Sequence, residues 1–546
     1  MQPQVAPYEA PPRAGGGVAA RVVGWVLLVP ALVLTVMTLV IPSVRTVAAS
    51  FESRNLLPGG ETEDVGFDNY DAVFGQLNFW SALGFALSLV VVPMVVAVVV
   101  APLVAAALDW AGAWARWTAR IVLSLTVVVF SPVAWSYARL LDLRDDPTRL
   151  ASLDQAAGTV RSTTAMMTVG VVLAVGLMIF LPVFRARAER RPMWPALFAV
   201  AGVAVLGVVA VGLQQFTVPY VLTRFGPADL TTTPVGLMFM NAFTTMRLGV
   251  GAAVGTVLLA LLAVLGIAAV LIIVLTRLRV SLVPLRRPPV PRKLNPGAIV
   301  LAVLVLAAVI TSLVLNALPW FNALSGDEPP LSGTQGHTWG PAINGAVVSV
   351  GVAYLAALGI SGLRPLGRHS EWLLMAFAPW LFVGLAPLSI EFFLSAQEDG
   401  SLNTEDALGP QILVSLVSLV IIALLCRGQA EQWQRQVAEG APAGPTFVQT
   451  VLVPTLPLAG LLFVVTALLN AQDFLWPLLV SSDPDNDTAV LSLYRLTTEV
   501  SRNDVSVASA TPLLAIVLGA LAIAAAQVLH LDRMVATTGK PVSDAR

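Results

Sequence analysis

The 546-residue chain has little of what soluble enzymes and nucleic-acid-binding proteins depend on. Charged residues make up only 12% of it, against roughly 25% in soluble domains, and its formal net charge is -1. A near-neutral chain with so few cations offers no bulk attraction for nucleic acid. Its single cysteine, Cys426, excludes an internal disulfide, and three widely separated histidines indicate no metal cluster.

Apolar residues take the place of the missing charges. The Ala, Val, Ile, Leu, Met, Phe, Trp, Tyr and Cys set makes up 57% of the chain. A soluble core of this length cannot bury so much apolar surface beneath so few charges. The apolar runs are continuous and do not alternate, which indicates helices and not barrel strands. We therefore predict an all-α polytopic membrane protein with about twelve transmembrane helices.

The predicted spans fall into two groups of six, which we expect to form two six-helix bundles. Those of the first group are 22–44, 80–108, 119–140, 163–183, 195–215 and 248–276. Those of the second group are 297–318, 341–363, 372–394, 410–426, 449–470 and 508–530.

Basic residues are distributed unevenly between the alternate loops. If the N-terminus is inside, the inner loops and tails hold 21 of the 31 Lys and Arg but only 8 of the 32 Asp and Glu. Loops rich in Lys and Arg stay on the cytoplasmic side. We therefore predict a multi-pass protein of the inner or plasma membrane with both termini in the cytoplasm.

The strongest internal boundary is the basic, proline-rich stretch RLRVSLVPLRRPPVPRKLNP, which contains no apolar span. Two halves of the same topology on either side of it form a parallel repeat, for which a pathway along their interface is typical. The predicted organisation is a disordered cytoplasmic tail, a first half, a cytoplasmic linker, a second half and a cytoplasmic tail, at 1–21, 22–276, 277–296, 297–530 and 531–546.

Several motifs of the first half carry a resemblance to a known family. The segments are VGFDNY at 65–70, FWSAL at 79–83, FTVPYVLTRFGP at 216–227 and RLGVGAA at 247–253. Their order and spacing resemble the permease subunits of carbohydrate-uptake ABC importers, of the maltose, trehalose and glycerol-phosphate type. In that family a V-G-L-x-N-Y segment follows the first helix, and F-x-x-x-Y-x-L-T-x-G-G-P precedes the last.

The second half resembles the partner permease of the same systems. The segment DFLWPL at 473–478 is similar to that subunit's W-N-x-F-x-W-P-L segment, although Ala471 and Gln472 replace its Trp and Asn. The resemblance implies two type I importer permeases fused head to tail. It also implies a cytoplasmic ATPase dimer that binds ATP and Mg²⁺, an extracytoplasmic sugar-binding lipoprotein, and a di- or oligosaccharide or a related polyol as substrate.

The family's cytoplasmic coupling loop, E-A-A-x-x-x-G, docks into a cleft of the ATPase. In the second half an eroded form of it is legible, and the matching residues are Gln434, Arg435, Ala438, Glu439, Gly440 and Pro454. The loop of the first half, 185–195, is too short for a docking helix. Its arginines are either a basic anchor at the end of a span or a different coupling device.

Two interpretations stand for each candidate pathway residue. Phe216, Tyr220 and Trp476 could stack on a sugar ring, or they could belong to the aromatic belts at the membrane surfaces. Asp473, beside Phe474, could accept sugar hydroxyl hydrogen bonds, or it could cap a helix in the headgroup region.

No catalytic constellation and no G-x-x-x-x-G-K-[ST] nucleotide motif is present, so ATP hydrolysis would belong to another chain. Two other functions stay open: an ion-coupled secondary transporter, and a diverged, non-transporting scaffold or regulatory paralogue. The absence of a coupling loop from the first half favours the scaffold. The absence of an obvious acidic or basic residue at mid-membrane disfavours ion coupling.

Overall fold

The computed structural model describes residues 18–53, 62–143, 153–186, 193–282, 333–498 and 510–539, together with scattered positions between 296 and 324 and residues 506 and 507. The predicted first half contains α1 Val18–Thr35, α2 Ile41–Ala49, α3 Asp68–Gly75, α4 Phe79–Leu89, α5 Val91–Val95, α6 Ala101–Ala111, α7 Ala113–Val128, α8 Pro132–Leu143, α9 Leu153–Arg185, α10 Trp194–Leu213, α11 Thr217–Thr223, α12 Pro234–Phe239 and α13 Leu248–Leu275.

The predicted second half contains α14 Thr334–Ala357, α15 Ser389–Glu398, α16 Leu416–Ala438, α17 Ala443–Phe447, α18 Val453–Ala471, α19 Leu475–Val480, α20 Ala489–Thr498 and α21 Leu513–Leu529. Two short strands, β1 Arg279–Leu282 and β2 Met534–Thr537, form one antiparallel sheet.

Within the described residues, nine helices are long and apolar enough to cross a membrane, and up to eleven if each of two bent helix pairs is one span. The prediction of an all-α polytopic membrane protein is confirmed. The predicted number of twelve is not reached, in part because most of the seventh predicted span, 297–318, lies outside the described residues.

The ninth predicted span, 372–394, is wrong as a continuous transmembrane helix. The chain runs there through 3-10 turns at Gly367–Ala376, Ala378–Trp380 and Ala386–Leu388, and α15 begins only at Ser389. Pro379 and Pro387 cause the interruption, because proline has no N–H to donate to an α-helix and clashes with the preceding turn. We call residues 367–388 the interrupted segment.

Proline also places π-turns inside three of the long helices. Each π-turn widens the helix just before a proline, where the preceding carbonyl would otherwise meet the proline ring. The pairs of π-turn and proline are Val36–Val40 with Pro42, Val96–Val100 with Pro102, and Val448–Leu452 with Pro454. Hydrophobic runs with an internal proline therefore remain single spans at these places.

The first and last described helices each pack on the opposite half of the chain. α1 lies against α14 and the π-turn Leu358–Leu363 that extends it, and α21 lies against α7. Glycine allows the close approach of α1, since a Cβ atom at Gly359 would meet the Gly24 carbonyl oxygen at 2.5 Å. Small residues commonly permit such contact between membrane helices.

The two strands join the end of the first half to the end of the second. β1 begins four residues after α13, β2 follows α21, and the register pairs Arg279 with Thr537 and Leu282 with Met534. The predicted linker and the predicted C-terminal tail, both expected on the cytoplasmic face, are thus in direct contact.

A buried charge cluster lies beside this sheet. The Asp532 carboxylate, just before β2, is 2.9 Å from Arg116, 3.2 Å from Arg120 and 3.2 Å from Arg185. The side chain of Arg120 is fully buried, and it also donates to the carbonyl oxygen of Gln527 at 2.9 Å. One carboxylate from the end of the second half therefore lies among three guanidinium groups of the first half, and Asp109, 3.7 Å from Arg116, adds a second negative charge.

Candidate functional site

A side chain of the predicted first half holds the interrupted segment. Gln214, just after α10, donates from Nε2 to the Phe382 carbonyl oxygen at 2.9 Å, and its Oε1 accepts from the Gly384 N–H at 2.8 Å. Neither backbone group lies in a regular helix. An unsatisfied backbone group in the hydrocarbon region is costly, so these two bonds stabilise the break.

Two glycines of α13 bring its backbone against the interrupted segment. A Cβ atom at Gly255 would lie 2.9 Å from the Pro387 carbonyl oxygen, and one at Gly266 would overlap the carbonyl oxygen of Ala378. Irregular backbone at membrane depth is found where protein covers it or where it lines a cavity, and interrupted spans are typical of substrate sites in transporters. The interface between α13 and this segment is therefore a candidate pathway.

Aromatic rings from both halves also meet, at the start of α11 and at the start of α19. The Phe216 and Tyr220 rings stack with centroids 5.0 Å apart, and Phe474 lies 6.3 Å from the first and 6.0 Å from the second. Tyr494 completes the set, 5.8 Å from Tyr220 and 5.0 Å from Phe474. We call these four residues the interface aromatic cluster. Phe216 and Phe474 are buried, so the cluster closes the interface.

A cation lies over the cluster. The Arg224 guanidinium is 5.5 Å from the ring centroids of both Tyr220 and Tyr494, and a cation within about 6 Å of a ring face is attracted to it. Burial, and secondarily the neighbouring Tyr220, raises the pKa of the Tyr494 phenol, so this ring stays uncharged. The arrangement combines apolar ring faces with hydroxyl groups and one fixed positive charge.

The predicted coupling residues lie at the opposite end of the second half. Gln434, Arg435 and Ala438 belong to the last turns of α16, and not to a separate docking helix. Glu439 and Gly440 then turn the chain, with Gly440 at a φ of 97°, and α17 begins at Ala443. Pro454 stands in the first turn of α18, directly after a π-turn.

Gln434, Arg435 and Ala438 also line a cavity of about 840 Å³, which we call the arginine-rich cavity. The other walls come from the end of α13, from β1, from the turn after α14 and from Gly539. Four stretches with predicted cytoplasmic positions, 277–296, 364–371, 427–448 and 531–546, thus contribute to one cavity.

No family model matches the chain. The sulfoquinovosyl glycerol transport system permease protein SmoG of Agrobacterium fabrum (strain C58) is 25% identical to it over 270 residues, which cover 44% of this chain and 87% of the relative. The resemblance predicted from the motifs is confirmed, since this relative is a transport-system permease protein, and the chain is a multi-pass membrane protein.

Two candidate pathway residues lie outside the interface aromatic cluster. Trp476 is buried, donates from Nε1 to the Ala407 carbonyl oxygen at 2.6 Å, and packs edge-on against Phe392. Asp473 interacts with the backbone amides of Phe474, Leu475 and Trp476 and lines a pocket of only about 40 Å³. Asp473 precedes Phe474, the N-cap residue of α19, and the hydrogen bond of Trp476 stabilises the start of this helix.

The short loop 185–195 of the first half is described only at its edges. Arg187, Arg190 and Arg191, together with Pro192, lie outside the described residues. Arg185 lies inside them and belongs to the buried charge cluster through its contact with Asp532. Arg185 therefore also holds the C-terminal segment. This role adds to the two predicted for its loop, a basic anchor or a different coupling device.

The sequence did not point to several residues at the interface between the halves. Gln214 has the least visible signal, because a lone polar residue at the end of a span is commonplace, although its place directly before the FTVPY motif is one clue. Tyr494 lies in a segment with no recognisable pattern of its own, whereas Arg224 lies within the 216–227 motif but was not singled out. The proximity of Tyr494 to Tyr220 and Arg224 arises only from tertiary packing.

Proposed function

We propose that this chain is the translocation pathway of an ATP-driven, binding-protein-dependent importer for a sugar, with both permease units fused in one polypeptide. The related permease aligns over 44% of the chain, which leaves room for a second unit of the same size. The relative is named for sulfoquinovosyl glycerol. For this chain we propose a di- or oligosaccharide or a related polyol as substrate. Apolar ring faces with hydroxyl groups beside them suit such molecules.

The closed interface aromatic cluster carries the proposal. Rings of both halves pack together at one end of the interface, while the arginine-rich cavity occupies the other end. In the proposed orientation, with both termini in the cytoplasm, this is an inward-facing arrangement. Rigid-body rocking of the halves would separate the rings and open the interface to a binding protein on the outside.

The proposed energy source is an ATPase dimer on the cytoplasmic face, which would hold ATP and Mg²⁺ outside this chain. Gln434, Arg435, Ala438 and the Glu439–Gly440 turn would transmit its closure, and Pro454 would start the next span. An extracytoplasmic sugar-binding lipoprotein would deliver the substrate. The buried charge cluster and the β1–β2 sheet would keep the cytoplasmic ends of the halves together during the motion.

Crosslinking across the interface should stop uptake. Tyr220→Cys with Phe474→Cys places two thiols where the ring centroids are 6.0 Å apart, one in each half. The native Cys426 is buried and does not interfere. After treatment with a short bis-maleimide, sugar uptake by cells that carry the whole system should fall to background, because the linked halves cannot separate.

The matched control is Phe474→Cys with Tyr494→Cys, whose rings are 5.0 Å apart within one half. This link should leave uptake at the level of the untreated variant. Uptake that continues with the cross-half link in place would refute a pathway at this interface. Uptake that survives ATP depletion and collapses with an ionophore would replace the ABC mechanism by ion coupling.

Gly440→Val should lower uptake about tenfold without loss of the protein from the membrane. Gly440 has a φ of 97°, and a Cβ atom added to it would have no neighbour within 4 Å, so valine fits sterically but strains the backbone. A valine in the left-handed region costs roughly 1–2 kcal/mol. This cost would lower the population of the native turn conformation by about tenfold. Uptake rate and membrane abundance should be measured together.

Gly460→Val is the control, because Gly460 is exposed, lies in α18 and a Cβ atom added to it would have no neighbour within 4 Å. This variant should transport like the wild type. It should also still co-purify with the ATPase. Equal uptake by both variants and the wild type would rule out the Gly440 turn as the coupling element.

A further inference from the structure

We infer that the arginine-rich cavity is a binding site for the phosphate or sulfonate group of a small organic anion. Six of its lining residues are arginines: Arg277, Arg279, Arg364, Arg368, Arg427 and Arg435. Among the described residues, the acidic ones that line it are Glu371 and Glu431. The described lining therefore carries four more positive than negative charges, an excess that a bound oxyanion would neutralise.

The two carboxylates form ion pairs with arginines of the inner wall of the cavity. Glu371, which is 4% exposed, lies 3.1 Å from Arg364 and 3.3 Å from Arg427. Glu431 lies 3.4 Å from Arg279. These pairs fix the guanidinium groups of the wall in place, because the rotation of each side chain is limited by its partner. Such a wall is preorganised for recognition of a planar or tetrahedral oxyanion.

Arg277, Arg368 and Arg435 form the rim. All three are exposed, and they approach the cavity from three different stretches: after α13, after the π-turn of α14, and on α16. On α16 the lining residues Arg427, Glu431, Gln434, Arg435 and Ala438 recur at helical spacing, so one face of this helix supplies a whole wall.

The dimensions fit a small molecule. A volume of about 840 Å³ lies within the range of roughly 300–1,000 Å³ found for ligand pockets. Trp372 and Val274 add apolar lining beside the guanidinium groups, which is enough for the carbon skeleton of a sugar phosphate or sulfonate. Arginine suits such groups because its planar fork donates two parallel hydrogen bonds to two oxygens.

The site is independent of the proposed function, because it concerns binding to the isolated chain and needs neither ATPase nor transport. The decisive experiment is calorimetric titration of the purified full-length protein at fixed ionic strength with glucose 6-phosphate, inorganic phosphate and glucose. Glucose 6-phosphate should bind, inorganic phosphate should compete with it, and glucose should not bind. Equal binding of glucose and glucose 6-phosphate would overturn the inference.

The rim residues provide the variants, since their exposure allows replacement without unfolding. Arg368→Gln with Arg435→Gln should weaken glucose 6-phosphate binding by about tenfold or more through lost charge-assisted hydrogen bonds. The matched control, Arg21→Gln with Arg247→Gln, removes two exposed arginines that do not line the cavity. It should bind like the wild type. Wild-type affinity of the rim variant would refute the site.

Nanodiscs distinguish the two sources of the oxyanion. One outcome is that phosphatidylglycerol in the disc displaces glucose 6-phosphate from the wild type but leaves the remaining binding to the rim variant unchanged. In that case the natural ligand of the cavity is a lipid headgroup. If phosphatidylglycerol has no effect relative to phosphatidylcholine, the ligand is soluble. Both results uphold an oxyanion site, whereas equal displacement from both proteins would assign the effect to surface charge and contradict it.

Discussion

Replacement of Asp532 by asparagine is expected to lower the free energy of unfolding by about 3–5 kcal/mol, the usual cost of removing one partner from a buried ion pair. Three guanidinium groups approach this carboxylate within 3.2 Å, and the side chain of Arg120 has no solvent exposure. Without Asp532, nearby Asp109 is the remaining acidic partner, at 3.7 Å from Arg116. Denaturant titration in detergent should measure the loss.

The control for this prediction is Asp142→Asn. Asp142 pairs with Arg139, but its side chain is 44% exposed, and exposed pairs contribute about 1 kcal/mol or less. If Asp532→Asn costs no more than Asp142→Asn, the charge cluster does not hold the C-terminal segment against the first half.

Gly266→Ala is expected to lower the free energy of unfolding by about 3 kcal/mol, the upper end for an overpacked core, and to abolish uptake. The added methyl group would overlap the Ala378 carbonyl oxygen of the interrupted segment. Backbone faces backbone at this contact, so no side chain can rotate out of the way. Unfolding in detergent and uptake in cells should be measured on the same preparations.

Gly207→Ala is the matched substitution, in another membrane helix that faces the same segment. Its Cβ would meet a ring carbon of Phe382 at 3.7 Å, an ordinary contact. Since alanine is the better helix former by about 0.5–1 kcal/mol, this variant should be as stable as the wild type or more so. Similar behaviour of both variants would show that the close approach at Gly266 does not matter.

Continuous apolar runs allowed most spans to be predicted, because side chains that face lipid must be apolar whatever the details of packing. The failure at 372–394 has a physical reason. Hydropathy depends on side chains, whereas Pro379 and Pro387 act on backbone hydrogen bonds, and the partner that makes the break tolerable, Gln214, is supplied from 168 residues earlier in sequence.

The candidate site was predictable where a local motif carried it. Phe216, Tyr220 and Phe474 stand in recognisable segments, and the structure brings them together. Tyr494 has no such context, and Arg224, although it lies in the 216–227 motif, approaches Tyr494 only through tertiary packing. The arginines of the cytoplasmic stretches were visible as an orientation signal, but their convergence on one cavity depends on how α16, β1 and Gly539 pack, which no local pattern records.

The first and last helices pack on the opposite halves, and this bears on what the proposed fusion contributes to the association of the halves. α1 packs on α14, α21 packs on α7, and β2 pairs with β1. Each of these contacts would survive if the polypeptide were severed between residues 283 and 295. Covalent continuity is therefore not what associates the halves. The proposed fusion would instead fix their stoichiometry at one to one, so that unlike halves meet at the interface.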